Sequence, residues 1–286
     1  MFVIIGIVIV IGAILTGYLN EHGSISLLIQ PNEYIIIFGA ALGGFVIASP
    51  LKVIKAVMAG LGRMLKSRAF SREDYLDALV LLSDIFYKIR KEGLVSIESD
   101  LDNPEKSPIF KSHEAFIKNH HALAFLTDTL RTLTITDIEA HEMADLLDFE
   151  IEAHHEEALI PSKSIANVAD SLPGLGIVAA VLGIVLTMKK IDSPPAVLGE
   201  CIGAALVGTF TGVLACYGFV GPAAKNLENI ASEDKEFLTV IKAGLLAFIG
   251  TPSPQVAIEF ARRAVPGELR PTFLELEEVV KKMRKK

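Results

Sequence analysis

The chain has 286 residues, of which 51% are hydrophobic, and 27 Lys and Arg stand against 34 Asp and Glu for a formal net charge of -7. A half-apolar composition broken by short polar segments belongs to a membrane protein with soluble parts. The acidic balance excludes a nucleic-acid binder and a surface that seeks anionic lipid, because both need clustered cations.

The first apolar run, Phe2 to Leu19, has no Lys or Arg before it and no small-x-small cleavage site after it, so it reads as a retained span. A short acidic loop, Asn20 to Glu33, leads to a second span, Tyr34 to Ser49, which Pro50 closes. Gly39 and Gly43 form a small-xxx-small pair there, and Tyr18 and Tyr34 fall at predicted membrane interfaces. Residues 1 to 49 contain no Lys or Arg, whereas Lys52, Lys55, Arg63, Lys66 and Arg68 follow at once, so the positive-inside rule puts that side in the cytoplasm. Lys225 and Lys235 agree with this orientation, and Lys189 and Lys190 are the conflicting charges.

The segment from Pro50 to Asp170 is too long and too charged for a loop, and its periodicity is helical. Leu51 to Leu65 is amphipathic. Ser71-Arg72-Glu73-Asp74 predicts a capping box, after which Tyr75, Leu79, Leu82, Ile85, Phe86 and Ile89 recur at three- and four-residue spacing until Gly93 stops the helix. Asn103-Pro104 and Ser107-Pro108 mark turns, and further helices are expected over His113 to Thr132 and Asp137 to Leu159, the latter ending at Pro161. Nothing reads as a strand. His120-His121 and His154-His155 are adjacent pairs with no second pair at ligand spacing, so they read as surface histidines and not as a zinc site.

Ser171 to Met188 carries no charge and covers roughly 27 Å at 1.5 Å per residue, enough to span. A fourth run, Cys201 to Ala224, is preceded and lined by Gly199, Gly203, Ala204, Gly208 and Gly212, small residues that let helix backbones approach closely in lipid. Cys201 and Cys216 lie about 22 Å apart along that helix, beyond disulfide reach. Asp170 and Glu200 sit at helix ends, and the deepest polar groups are Thr187, Thr209, Thr211 and Tyr217. An ion crossing here therefore needs a carboxylate from a partner chain. From the residues alone, Ser171 and Pro173 read as a helix start, Thr209 as bonded to its own helix, and Arg90 and Glu98 as solvated charges. If the fourth helix continues past Pro222, the ring leaves the Gly218 carbonyl without its donor and bends the helix. Lys225 to Phe248, a break at Thr251-Pro252-Ser253-Pro254, two short helices and a basic end, Lys281 to Lys286, complete the chain.

Gly17-Tyr18-Leu19, Gln30-Pro31, Tyr87-Lys88-Ile89-Arg90 with Gly93 and Ile97-Glu98, Asp170-Ser171-Leu172-Pro173, Val207-Gly208-Thr209-Phe210, Tyr217-Gly218-Phe219 with Pro222, and the closing Arg270 to Glu278 run nearly the whole chain. Together they resemble the MotA family of flagellar stator subunits, related to the ExbB and TolQ proton-channel proteins. The resemblance implies an all-α fold of four transmembrane helices, with a helical cytoplasmic domain built from the long second loop and the C-terminal tail. It implies residues 1–50 as spans one and two, 51–170 as the rotor-contacting domain, 171–224 as spans three and four lining the ion path, and 225–286 as the cytoplasmic tail. Both termini are then cytoplasmic in the bacterial inner membrane.

The resemblance further implies five copies around a MotB dimer whose aspartate carries the ion, and no cofactor. Pro173, Ala180, Thr209, Pro222 and Asp170 match ion-path and coupling positions. Arg90 and Glu98, with Glu150 of lesser weight, match residues that push on the rotor protein FliG. Sodium-driven relatives carry threonine where this chain has Ala180, which favours protons. Three other readings compete, the blandest of them a pure scaffold, which ion-dependent swimming of a complemented deletion strain would separate from a motor subunit. An ExbB- or TolQ-like subunit would have three spans, and an intramembrane hydrolase would need an H-E-x-x-H pair or a G-x-S-x-G elbow, neither of which occurs.

Overall fold

The protein is seen as a computed structural model that describes residues 2–66, 69–251 and 253–283. Arg68, Pro252 and residues 284–286 of the basic end lie outside the described residues. Among the described residues every regular element is helical: α1 (Phe2–Asn20), α2 (Ile25–Leu28), α3 (Pro31–Ala48), α4 (Leu51–Lys66), α5 (Arg72–Glu92), α6 (Glu98–Asp102), α7 (Pro108–Lys111), α8 (Glu114–Ile117), α9 (His120–Ile135), α10 (Ala140–Met188), α11 (Pro195–Leu214), α12 (Gly221–Gly250), α13 (Pro254–Ala264) and α14 (Phe273–Met283). Short 3-10 turns cover Leu94–Ile97 and Pro104–Lys106, and a π-helical turn, Ala215–Val220, joins α11 to α12. Four helical stretches are long and apolar enough to cross a membrane: Val3–Asn20, Ile25–Ala48, Ala140–Met188 and Pro195–Gly250.

The chain forms two compact units. The first comprises Met1–Ser67 and Ala158–Ile230, and the second Arg68–Glu157 and Ala231–Lys286, so α10 and α12 contribute residues to both.

In the first unit, Ile37 and Ala41 of α3 pack with Ala169, Leu172 and Ala179 of α10 and with Ala215 and Cys216 of the π turn. A second cluster joins Val57 of α4 to Ile165 of α10 and to Ala224 and Leu227 of α12. Ile4, Val8, Ile9, Ile35 and Ile47 stay exposed, as suits helices whose outer face meets hydrocarbon. Helix α10 does not end at Pro161 and does not begin at Ser171. It runs unbroken through Pro161 and Pro173, correcting both the expected stop and the expected start. At Pro161 neighbouring helices pack against the turn that has lost a backbone bond. Gly60 of α4 sits so close that a Cβ there would lie 3.0 Å from Pro161, and Ser162 next to it donates its hydroxyl to the Ala224 carbonyl at 2.8 Å.

The second unit is built around α5. Ser71 caps it, accepting from the Asp74 amide while Asp74 accepts from the Ser71 amide, and Gly93 ends it at φ 87°, a conformation open to glycine. Tyr75, Leu79, Leu82, Ile85 and Phe86 are sealed from solvent. Phe86 stacks on Phe248 of α12 at 4.2 Å between ring centroids, and Phe70 stacks on Phe237 at 4.3 Å. Each such side chain contributes about 1.5–3 kcal/mol on burial. The region after Gly93 is more broken than its periodicity suggests. The helix expected from His113 begins as the separate turn α8, and α9 starts at His120 under an Asn119 cap.

On α13, Glu259 accepts 2.7 Å bonds from both Arg262 and Arg263, and Arg262 also donates to the Pro271 carbonyl, tying the approach to α14. These hydrogen bonds, that from Arg262 above all, hold the Glu259 carboxyl at about 2. A depressed carboxyl pKa contributes stability that is complete above the unfolded value and disappears as pH falls through the folded one. Glu259→Gln should therefore lower the melting temperature at neutral pH, a loss on the order of 1–2 kcal/mol after solvent screening. Circular-dichroism melts of the detergent-solubilised protein should show the gap to wild type closing as pH falls from about 4.5 towards about 2.

Candidate functional site

In the first unit α10 and α11 meet backbone to backbone. A Cβ on Gly176 would stand 2.8 Å from the Gly208 carbonyl oxygen, and one on Gly212 would run into the Leu172 carbonyl and the Gly176 backbone. The stripe read from the sequence is thus used unevenly. Gly208 and Gly212 make the contact with α10, Gly203 faces Leu27 of α2, and Gly199, Gly39 and Gly43 meet nothing within 4 Å.

Several of the expected ion-path residues fall at this contact. Pro173 is half-buried one residue past Leu172, inside α10, where it deprives the Ala169 carbonyl of its helical donor. Ala180 is buried, its amide 3.2 Å from where a Gly208 Cβ would be, and Thr209 is half-buried with its Cα 3.3 Å from the matching point on Gly176. Thr187 is buried and gives its hydroxyl to the Gly183 carbonyl at 2.9 Å, while Ile184 is exposed. Asp170 is exposed one turn before Pro173.

Pro222 is exposed in the first turn of α12, and the simple bend expected there takes another form. The chain widens into the π turn, so that the Gly221 amide bonds to the Cys216 carbonyl. Tyr217 is exposed and, with Pro222, Phe38, Phe45, Met58 and Leu172, lines an apolar cavity of about 850 Å³.

One expectation needs correction. Helices α10 and α11 bring no ionisable group to their contact, but α3 does. Glu33, read from the sequence as a loop residue, is the third residue of α3 and is buried against Gly183, Ala205 and Gly208. Hydropathy along the chain places it at a span edge and carries no signal for where its side chain reaches.

Arg90, Glu98 and Glu150 lie in the second unit. All three are exposed, and among the described residues none has an ion-pair partner. Partial loss of solvent, then the nearby Asp128, raises the Glu150 carboxyl above its ordinary range. What positions Glu98 relative to Arg90 is a residue that spacing did not single out. Asp100, two positions after Glu98, is buried and accepts from Lys88 of α5 and from the Ser107 hydroxyl, both at 2.6 Å. Ser107 in turn caps α7, and Arg131 of α9 donates to the Leu101 carbonyl at 2.7 Å. The segment carrying Glu98 is thereby fixed to the helix carrying Arg90.

Two family profiles match the chain: Motility protein A N-terminal over residues 4–93, and the MotA/TolQ/ExbB proton channel family over residues 117–237. The chain is 37% identical over 284 residues to Motility protein A of Salmonella typhimurium, an alignment that covers 99% of this chain and 96% of that one. The chain belongs to the motility protein A family. Chemotaxis protein LafT of Vibrio parahaemolyticus is 32% identical over 273 residues, covering 96% of each chain. The structure of C. jejuni MotAB superposes with a TM-score of 0.78 at 19% identity, covering 95% of this chain and 98% of that one. The flagellar MotAB stator complex from Bacillus subtilis gives 0.72 at 24%, covering 93% and 96%. These two structures speak for the fold. Membership in the motility protein A family, a proton-channel family and not an enzyme family, sets aside the hydrolase reading. Four apolar helices and the full-length match favour it over the ExbB- or TolQ-like alternative.

Replacing Asp100 by Ala leaves Lys88 and Ser107 without their acceptor, at a cost of about 1–3 kcal/mol. In this motility family member, Asp100→Ala should increase protease cleavage between Gly93 and Lys111 and slow swimming, with membrane levels unchanged. Lys91→Ala, at an exposed position on α5 beside Lys88, should do neither. Limited proteolysis and swimming speed, measured on the same strains, check both.

Proposed function

We propose that the chain is a flagellar motor stator subunit that, with MotB, forms a proton channel and converts ion flow into torque on the rotor. One observation carries this reading: the alignment with a Motility protein A along 99% of the chain. The absence of ionisable residues on the facing surfaces of α10 and α11 supports a channel completed by MotB, whose aspartate would carry the ion between Pro173, Ala180 and Thr209 of several copies of this chain. Five copies around a MotB dimer, and both termini in the cytoplasm of a bacterium's inner membrane, complete the proposal. In it residues 1–50 and 171–224 cross the lipid bilayer, and residues 51–170 and 225–286 are cytoplasmic. Asp170 and Pro222 lie at the ends of the crossing segments, where a change in occupancy would alter helix packing.

Protons suit the first unit better than sodium. A sodium ion needs several oxygen ligands, and Ala180 adds no side-chain oxygen to such a set. The exposed, unpaired state of Arg90, Glu98 and Glu150 supports their use on FliG, since charges already paired within the chain would be less free to steer a partner.

A strain lacking its own stator subunit and carrying this chain with MotB should swim in sodium-free buffer and stop when the proton gradient is collapsed in the presence of sodium. Swimming that needs sodium and survives that collapse would overturn the proton assignment. Arg90→Glu should slow swimming more than Arg90→Ala, because reversal adds repulsion where truncation only removes attraction. If both variants swim like wild type at normal membrane levels, Arg90 is not in the rotor contact.

A further inference from the structure

Glu33 has no role in the channel as proposed, yet its surroundings are unusual for a carboxyl. It projects from the first turn of α3, is nine-tenths buried, and its Oε2 is sealed with no hydrogen-bond partner. Two glycines make the space it occupies. A Cβ on Gly208 would lie 2.7 Å from Oε2, and one on Gly183 would lie 3.3 Å from Oε1. Gly208 is thirteen residues into α11 from Pro195, about 20 Å along the axis, so the carboxyl meets that helix well inside its length.

No charge balances the group. From α10 it meets Gly183, and from α11 Ala205 and Gly208 line the same slot, none of them titratable. Thr187, one turn beyond Gly183, has already given its hydroxyl to the backbone. The charged residues at the ends of these helices, Lys189, Lys190 and Glu200, are exposed, and among the described residues no cation pairs with Glu33. An ionised carboxylate held in such a place loses several kcal/mol of solvation with nothing in return, whereas a neutral one loses far less. A residue needed only for packing would be served as well by glutamine, which fills the same volume without a charge to suppress.

We propose that Glu33 is a proton-binding site of this chain: the carboxylate takes a proton from the aqueous side, seats as a carboxylic acid between α10 and α11, and releases that proton when α3 separates from them. The O–H bond that forms on uptake is the bond that breaks on release, so the step needs no other reactant. The site's use rests on the ion-driven reading above, since the driving gradient supplies the proton.

The test uses membranes carrying the full chain with MotB, treated with dicyclohexylcarbodiimide, which reacts with protonated carboxyls in apolar surroundings, and read by mass spectrometry. An adduct on Glu33 that declines as external pH rises is expected, and Gly208→Ala, whose new methyl would crowd Oε2 at 2.7 Å, should lose most of it. Glu33→Gln should reach wild-type membrane levels, swim more slowly and lose its dependence on external pH. No adduct on Glu33 at any pH, or Glu33→Gln swimming as wild type at every external pH, overturns the proposal. Labelling of Glu33 in a chain that does not restore swimming overturns the motor reading instead and leaves the proton site standing.

Discussion

Helices in hydrocarbon gain nothing by hiding apolar surface from one another, so α10 and α11 are held by backbone brought to van der Waals distance. That contact admits no side chain at Gly176 or Gly212. The rest of the first unit follows from it. Ala180 and Thr209 lie at the seam because the glycines on either side set it, and α10 can carry Pro161 and Pro173 without breaking because neighbouring helices hold its flanks in place. The carboxyl of Glu33 fits only because two glycines leave it room.

Where local chemistry decides structure, the sequence was readable. Ser71 with Asp74, Gly93, and the apolar spacing between them specify α5 without help from the rest of the chain, and the structure has that helix with that cap. The apolar runs likewise specify four helices able to cross a membrane. Long-range packing overrode local signals elsewhere. Pro161 is a stop signal by its own chemistry, but α4 and α12 press on that turn from the side and the helix continues. Gly39 and Gly43 have the spacing of a packing motif, yet a Cβ at either would meet nothing within 4 Å among the described residues.

The functional residues divide in the same way. Arg90 and Glu98 were recognisable through a motif, whereas the group that fixes one relative to the other, Asp100, has an ordinary sequence context and acquires its importance from burial between Lys88 and Ser107. Glu33 escaped notice for a related reason. Counting charges along a span assigns a residue to the depth of its own Cα, but a side chain three bonds longer than alanine's can end against a different helix.

The wide turn at Ala215–Val220 has a consequence for phase. Twelve residues separate Gly212 from Ala224, and at about 100° per residue an uninterrupted α-helix would leave them roughly 120° apart around the axis. A π turn accommodates one surplus residue, reducing the rotation to that of eleven steps, so the two positions fall within about 20° of each other. Both do face α10: Gly212 against Leu172 and Gly176, and Ala224 through its carbonyl to Ser162. The turn therefore works as a one-residue vernier, letting α11 and the first turns of α12 keep one side on the same neighbour across a stretch where regular winding would have turned it away.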